Sequence, residues 1–243
     1  MKIKLLILSI SICGIANAQW QQTNGPYNGS INCIAASGTN VFVGVPSNGV
    51  YLSTNNGSSW TAVNNGLPNT SPNTLAISGS NIFAAMAGAG VYLSTNIGSS
   101  WTAVNNGLTT GGIHAFAISG TNIFAGGGGI FLSTSDGSSW TAVNNGLTNA
   151  LVGSLVISGT NIFAGTWGGG VYLSTNNGSS WAAVNNGLTD TTIFSLAVSG
   201  TNIFAGTNSG VFLSTNNGSS WTTVNNGLPT NPTITSLAIS GST

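Results

Sequence analysis

The stretch Val50-Tyr-Leu-Ser-Thr-Asn-Asn-Gly-Ser-Ser-Trp60-Thr-Ala-Val-Asn-Asn-Gly-Leu67 recurs nearly letter for letter at 91–108, 130–147, 171–188 and 211–228. Its tryptophan falls at Trp60, Trp101, Trp140, Trp181 and Trp221, and Trp20 stands one step earlier in the same phase. A fixed period of about 40 residues means that each unit is one supersecondary element which cannot bury its apolar surface alone. The chain must therefore stack like units against one another.

Within a unit, four short runs alternate apolar and polar residues: 194–199, 201–207, 211–215 and 220–224 in the last complete copy. Gly, Asn and Ser bound each run. Alternation of period two broken by turn residues every 8 to 12 positions argues for strands, and no window sustains the three-and-four spacing of a helix. Four strands in about 40 residues is the size of a propeller blade. A β-solenoid is the alternative, but its coils are usually about half as long and the two halves of this unit do not resemble each other. The expected fold is all-β: a β-propeller of five complete four-stranded blades and a partial sixth.

The expected units are 31–67, 72–108, 113–147, 152–188 and 193–228, with 234–243 as the partial one. Trp20 would belong to the outer strand of a blade with no inner strands before it, and 235–240 to an inner strand with nothing after it. That mismatch suggests a fragment of a longer repeat protein, since an unpaired inner strand leaves an edge that propellers avoid. Before the repeats, Met1-Lys-Ile-Lys4, an apolar run from Leu5 to Ile15 and Ala16-Asn-Ala18 have the layout of a secretory signal cleaved after Ala18. A lipoprotein reading would use Cys13, but Ile12 stands where a small residue is expected. No other apolar stretch has the length of a membrane helix.

Removing residues 1–18 removes both lysines, so 19–243 contains no Lys, Arg or Glu, and its side-chain carboxylates are Asp136 and Asp190. Such a surface cannot neutralise phosphates or anionic lipids, which excludes nucleic acid and acidic membrane as charge-driven partners. Cys33 is left without an internal partner, so stability has to come from apolar burial and strand pairing.

The repeated octapeptide, Ser53-Thr-Asn55-Asn-Gly57-Ser-Ser-Trp60 in the first copy, suits a tight hairpin. Asn-Gly tolerates positive φ, and the preceding Ser and Asn can fold their side chains back onto the turn amides. It resembles the Asp-box, or BNR repeat, whose pattern is Ser-x-Asp-x-Gly-x-x-Trp and which marks sialidases, sortilin-type receptors, xyloglucan-degrading enzymes and the photosystem II assembly factor, all propellers. The Asp position is Asn55, Asn96, Asn176 and Asn216 here, and Ser135 in the third unit, with Asp136 one place later. An amide can still form the turn, whereas any role needing a carboxylate is lost. The resemblance implies a structural role for Trp20, Trp60, Trp101, Trp140, Trp181 and Trp221, each expected to be buried between blades. The composition is also similar to that of exported Bacteroidetes propellers that carry a type IX sorting domain. It implies a secreted or cell-surface protein of a Gram-negative bacterium.

Comparing units separates two faces. The a–b and c–d turns are nearly fixed and share one side of the disc, while the b–c and d–a connections vary and share the other. Binding residues usually sit on variable loops of a rigid scaffold. Most individual candidates read as structural: His114 fills a slot held by Asn32, Asn73, Gly153, Phe194 and Thr235 in other units, Cys33 a small-residue slot, and Asp190 a turn. A lone His with no Cys, Asp or Glu near it makes no metal site, and no cofactor is expected. Trp167 is the exception. It is out of phase with the repeat, in a b–c loop among Gly165, Gly168, Gly169 and Gly170, and is either folded inward over the central channel or exposed as a flat apolar platform.

Two functions follow. The first is a non-catalytic exported module that binds a neutral glycan or a protein, with Trp167 as its ligand contact. The second is a fragment of a sialidase- or xyloglucanase-like glycoside hydrolase. Glycoside hydrolysis generally needs two carboxyls flanking one bond. Here Asp136 and Asp190 fall on opposite faces, so no enzymatic activity is expected.

Overall fold

The computed structural model describes residues 25–26, 30–230 and 232–239; the expected signal segment and Trp20 lie outside them. The described residues contain twenty strands in five four-stranded antiparallel sheets. Blade 1 is Cys33–Ser37, Asn40–Val45, Gly49–Ser53 and Thr61–Ala62, and blade 2 is Pro72–Ser78, Asn81–Met86, Gly90–Ser94 and Thr102–Ala103. Blade 3 is Ala115–Ser119, Asn122–Gly127, Gly129–Ser133 and Thr141–Ala142. Blades 4 and 5 repeat the pattern from Val152–Ser158 to Ala182–Ala183 and from Ser195–Ser199 to Thr222–Thr223. Each sheet follows chain order, a to d, and the a strands of successive blades touch one another. Those strands therefore lie innermost.

The alternation read from the sequence sends one face of each blade forward and the other back. Phe42 and Val50 of blade 1 meet Ile82, Ala84 and Trp101 of blade 2. Phe83 and Val91 of blade 2 meet Ile123, Phe131 and Trp140 of blade 3, and the same sandwich forms between blades 3 and 4 and between 4 and 5. The core is four such layers. The b strands of blades 2, 3 and 4 are buried on both faces, and the apolar run Ile-Phe-Ala recurs in four of the five copies.

The d strands are shorter than the sequence pattern suggests, two residues each. The reason is tertiary. The Trp221 amide, the expected second residue of its strand, donates not to strand c but to the Asn186 carbonyl of blade 4. Its indole Nε1 donates to the Val184 carbonyl at 2.7 Å. Trp181, Trp140 and Trp101 make the same two bonds to the preceding blade. Each Trp is thus a bolt that joins two blades by packing and by two hydrogen bonds. The glycine after each receiving Asn has no Cβ because the Trp carbonyl lies against it, as at Gly187.

Trp60 departs from the expectation of burial in every unit. It is half-buried, and its Nε1 has no hydrogen-bond partner. Among the described residues no blade precedes blade 1 to supply the two carbonyls that the other tryptophans use.

Candidate functional site

The fixed face is built by the octapeptide turns. Ser53 Oγ accepts from the Gly57 amide at 2.8 Å and donates to Asn55 Oδ1, which also accepts from the Ser59 amide. Asn55 Nδ2 donates to Ser59 Oγ, a bond in which the amide acts as donor where a carboxylate could only accept. The turn carries Asn56 at φ 55 and Gly57 at φ 86. In the third unit Ser135 Oγ accepts from the Ser139 amide and meets Ser139 Oγ, while Asp136 takes the left-handed position at φ 50. The Ser and Asn side chains at the first and third positions are spent on the turn itself.

The opposite face carries the variable loops, and an asparagine unnoticed in the sequence holds each of them. Asn64 Oδ1 accepts from the Val50 amide at 2.7 Å and its Nδ2 donates to the Asn48 carbonyl. Asn105, Asn185 and Asn225 make the same pair of bonds, and Asn144 makes the first of them. The d strand thereby clamps the b–c loop of its own blade. The signal was present as the first Asn of each Val-Asn-Asn-Gly, but its partner lies 14 positions back.

Trp167 stands in one of these clamped loops. Its amide donates to the Leu151 carbonyl, and its backbone pairs with Thr192 of the next d–a connection. The indole leans over Gly153, where a Cβ would overlap its Nε1. Its ring lies 5.0 Å from that of His114 at 48°. Gly153 and His114 occupy the same slot in adjacent blades, at the inner end of the a strands. The side chain therefore reaches toward the channel mouth and still keeps 39% of its surface exposed, beside Leu151, which is 54% exposed. The indole is thus partly buried against Gly153 and His114 and partly exposed.

The other candidates are placed as follows. The His114 amide donates to the Gly126 carbonyl, and burial holds its imidazole below the ordinary histidine range. Cys33 sits against Gly44 and Pro72; burial pushes its thiol up to about 12, so it is a packed thiol rather than a nucleophile. Asp190 Oδ1 accepts from the Thr192 amide and Oδ2 from Ser209 Oγ, joining a d–a connection to the b–c loop of blade 5. Asp136 lies on the fixed face, so the structure does not bring the two carboxylates together. Among the described residues no group of three His, Cys, Asp or Glu could hold a metal ion.

The model of the DUF6242 β-propeller domain matches residues 123–243, and the five sheets and their Ser–Asn turns extend the same pattern toward the N-terminus. The chain is a β-propeller. This propeller is similar in structure to an ancestral GH74 enzyme, at 25% identity and a TM-score of 0.71 over 89% of this chain and 34% of that one. It is also similar to YCF48 from Cyanidioschyzon merolae, at 14% identity and 0.64 over 82% and 71%. A third likeness is to the extracellular domain of a one component system protein from B. thetaiotaomicron, at 18% and 0.65 over 80% and 28%. The propeller spans about a third of the length of the GH74 enzymes it matches, 34% and 31%. No curated protein sequence matches it.

Proposed function

We propose that the propeller is an exported, non-catalytic binding module that takes an uncharged ligand, a neutral glycan or a protein surface, on its variable face. The observation that carries this reading is the Trp167 indole, set over Gly153 and tilted against the His114 ring with 39% of its surface exposed. A large aromatic ring held by clamped loops offers apolar area at little entropic cost. A region with no Lys, Arg or Glu after residue 18 leaves stacking and neutral hydrogen bonds as the means of recognition. Relatives in fold support a binding role: one solved structure is YCF48 bound to D1 peptide. The signal-like first 18 residues and the likeness to an extracellular domain support export to the surface or medium of a Gram-negative cell.

The likeness to GH74 enzymes favours a second reading, part of a glycoside hydrolase. The chemistry of the described residues argues against it. Asp190 is engaged by Thr192 and Ser209, and the other carboxylate is on the far face. The test is tryptophan fluorescence titrated with neutral polysaccharides, repeated on Trp167→Ala. A saturable change lost in the variant supports the reading. Equal binding by both proteins would overturn the assignment of Trp167, and turnover of a glycan that Asp190→Asn abolishes would overturn the non-catalytic reading.

A further inference from the structure

The two outer faces of the described arc are unmatched halves of the contact that joins its blades. On the face that blade 1 turns away from blade 2, Ile34 is 66% and Ile31 46% exposed. There Trp60 borders a cavity of about 320 Å3 together with Ile31, Ile34, Val41 and Val43, and Gly25 and Pro26 of the preceding segment also line it. Its Nε1 is buried and without a partner, whereas the four following tryptophans each donate that N–H to a Val carbonyl. Among the described residues no carbonyl receives the Trp60 N–H.

Blade 5 shows the converse. Its Val224-Asn225-Asn226-Gly227-Leu228 repeats the sequence that receives a Trp in every earlier blade. A Cβ on Gly66, Gly107, Gly146 or Gly187 would strike the next blade's Trp carbonyl, but one on Gly227 would meet nothing within 4 Å. Val224 and Leu228 are each 40% exposed, although Leu188, the counterpart of Leu228, is buried. Beside them 232–239 occupies the seat of a following a strand. The Ile234 amide donates to the Thr207 carbonyl as the Ile193 amide does to that of Thr166, and among the described residues no strand pairs with its other edge.

We infer that these faces are docking surfaces for a blade of this same repeat sequence. At blade 5 such a blade would pair with 232–239 and seat its Trp on Gly227, with the indole N–H on the Val224 carbonyl. The contact is specific because it needs a Trp aligned with two carbonyls and a glycine in the receiving strand. A second whole copy of the chain fits less well, since its blade 1 would have to displace 232–239.

The experiment adds the sequence of residues 203–233 after Thr243, which continues the repeat in phase. A companion protein carries Ala in place of that unit's own copy of Trp221. The first extension should raise Tm by roughly 5 °C or more, lower the fluorescence of an apolar-surface dye and slow amide exchange at 224–228; the companion should lose these gains. No change in all three readouts overturns the inference. Sedimentation of the unextended chain provides a second arm, in which a concentration-dependent oligomer would make a second copy the occupant and also overturn it. If the extended protein fails to fold, Trp60→Ala decides on the existing chain. An unfilled bolt should lower Tm by less than half as much as Trp140→Ala, and an equal loss refutes the inference.

Discussion

Truncating Trp140 to alanine tests the bolt directly. Its indole is 4% exposed and packs against Phe83, Val91, Ile113, Ile123 and Phe131 across the layer between blades 2 and 3. Its Nε1 donates to the Val104 carbonyl at 2.8 Å. Removing a buried Trp side chain costs about 3–5 kcal/mol in transfer and cavity terms, and leaving the Val104 carbonyl without its donor adds about 1–3 kcal/mol. The backbone bond from residue 140 to Asn106 survives the change, so a total of about 4–8 kcal/mol is expected. For a chain of this length each kcal/mol moves Tm by about 2–4 °C, which predicts a fall of roughly 8–30 °C by circular dichroism. Trp140→Phe separates the two contributions. It keeps most of the packing and loses the bond, so it should give about a third of the effect. A fall below about 3 °C in Trp140→Ala would show that the repeated tryptophans do not hold the blades together.

Gly153→Ala places a methyl group where the Trp167 ring lies, so it should weaken any ligand that Trp167→Ala weakens while changing Tm little; unaltered affinity would remove the channel-mouth site. Asp190→Ala frees Ser209 and the Thr192 amide on the surface and should lower stability by about 1 kcal/mol, measured by urea denaturation, a loss several-fold larger refuting a turn role. Cys33 is neutral in the folded chain to about 12 and ionises near 9.0 when unfolded, so stability present below pH 9 should decline as pH rises above it; the same shift predicts slow alkylation by iodoacetamide at pH 8, and rapid labelling of the native protein would contradict it. His114 has the opposite sign. Its imidazole is held below 6.5 by burial, so the unfolded chain binds the proton first and stability should fall as pH drops below 6.5, an effect that His114→Gln, followed by thermal melts, should remove.

The sequence by itself determined the blade. A period of about 40, four alternating runs and the Ser-x-Asn-x-Gly turn are local features, and local chemistry decides them: Ser53 and Asn55 bond within four residues of themselves, and the Asn56-Gly57 step needs only its own φ angles. Repetition then carries one reading to all five units. Part of the site was legible too, since Trp167 breaks the phase and the loops around it vary.

Tertiary structure decided which distant groups meet. That Trp181 donates to Val143, that Asn185 clamps Val171, and that Trp167 meets His114 are contacts across 38, 14 and 53 positions. No pattern of residue types marks them. A donor's partner is whichever carbonyl the packing of two blades brings within reach, and that packing exists only once the sheets stack. For the same reason Trp60, identical in sequence to its counterparts, differs from them in structure. Its neighbours in the chain are the same, but no described blade stands in front of it to receive its N–H.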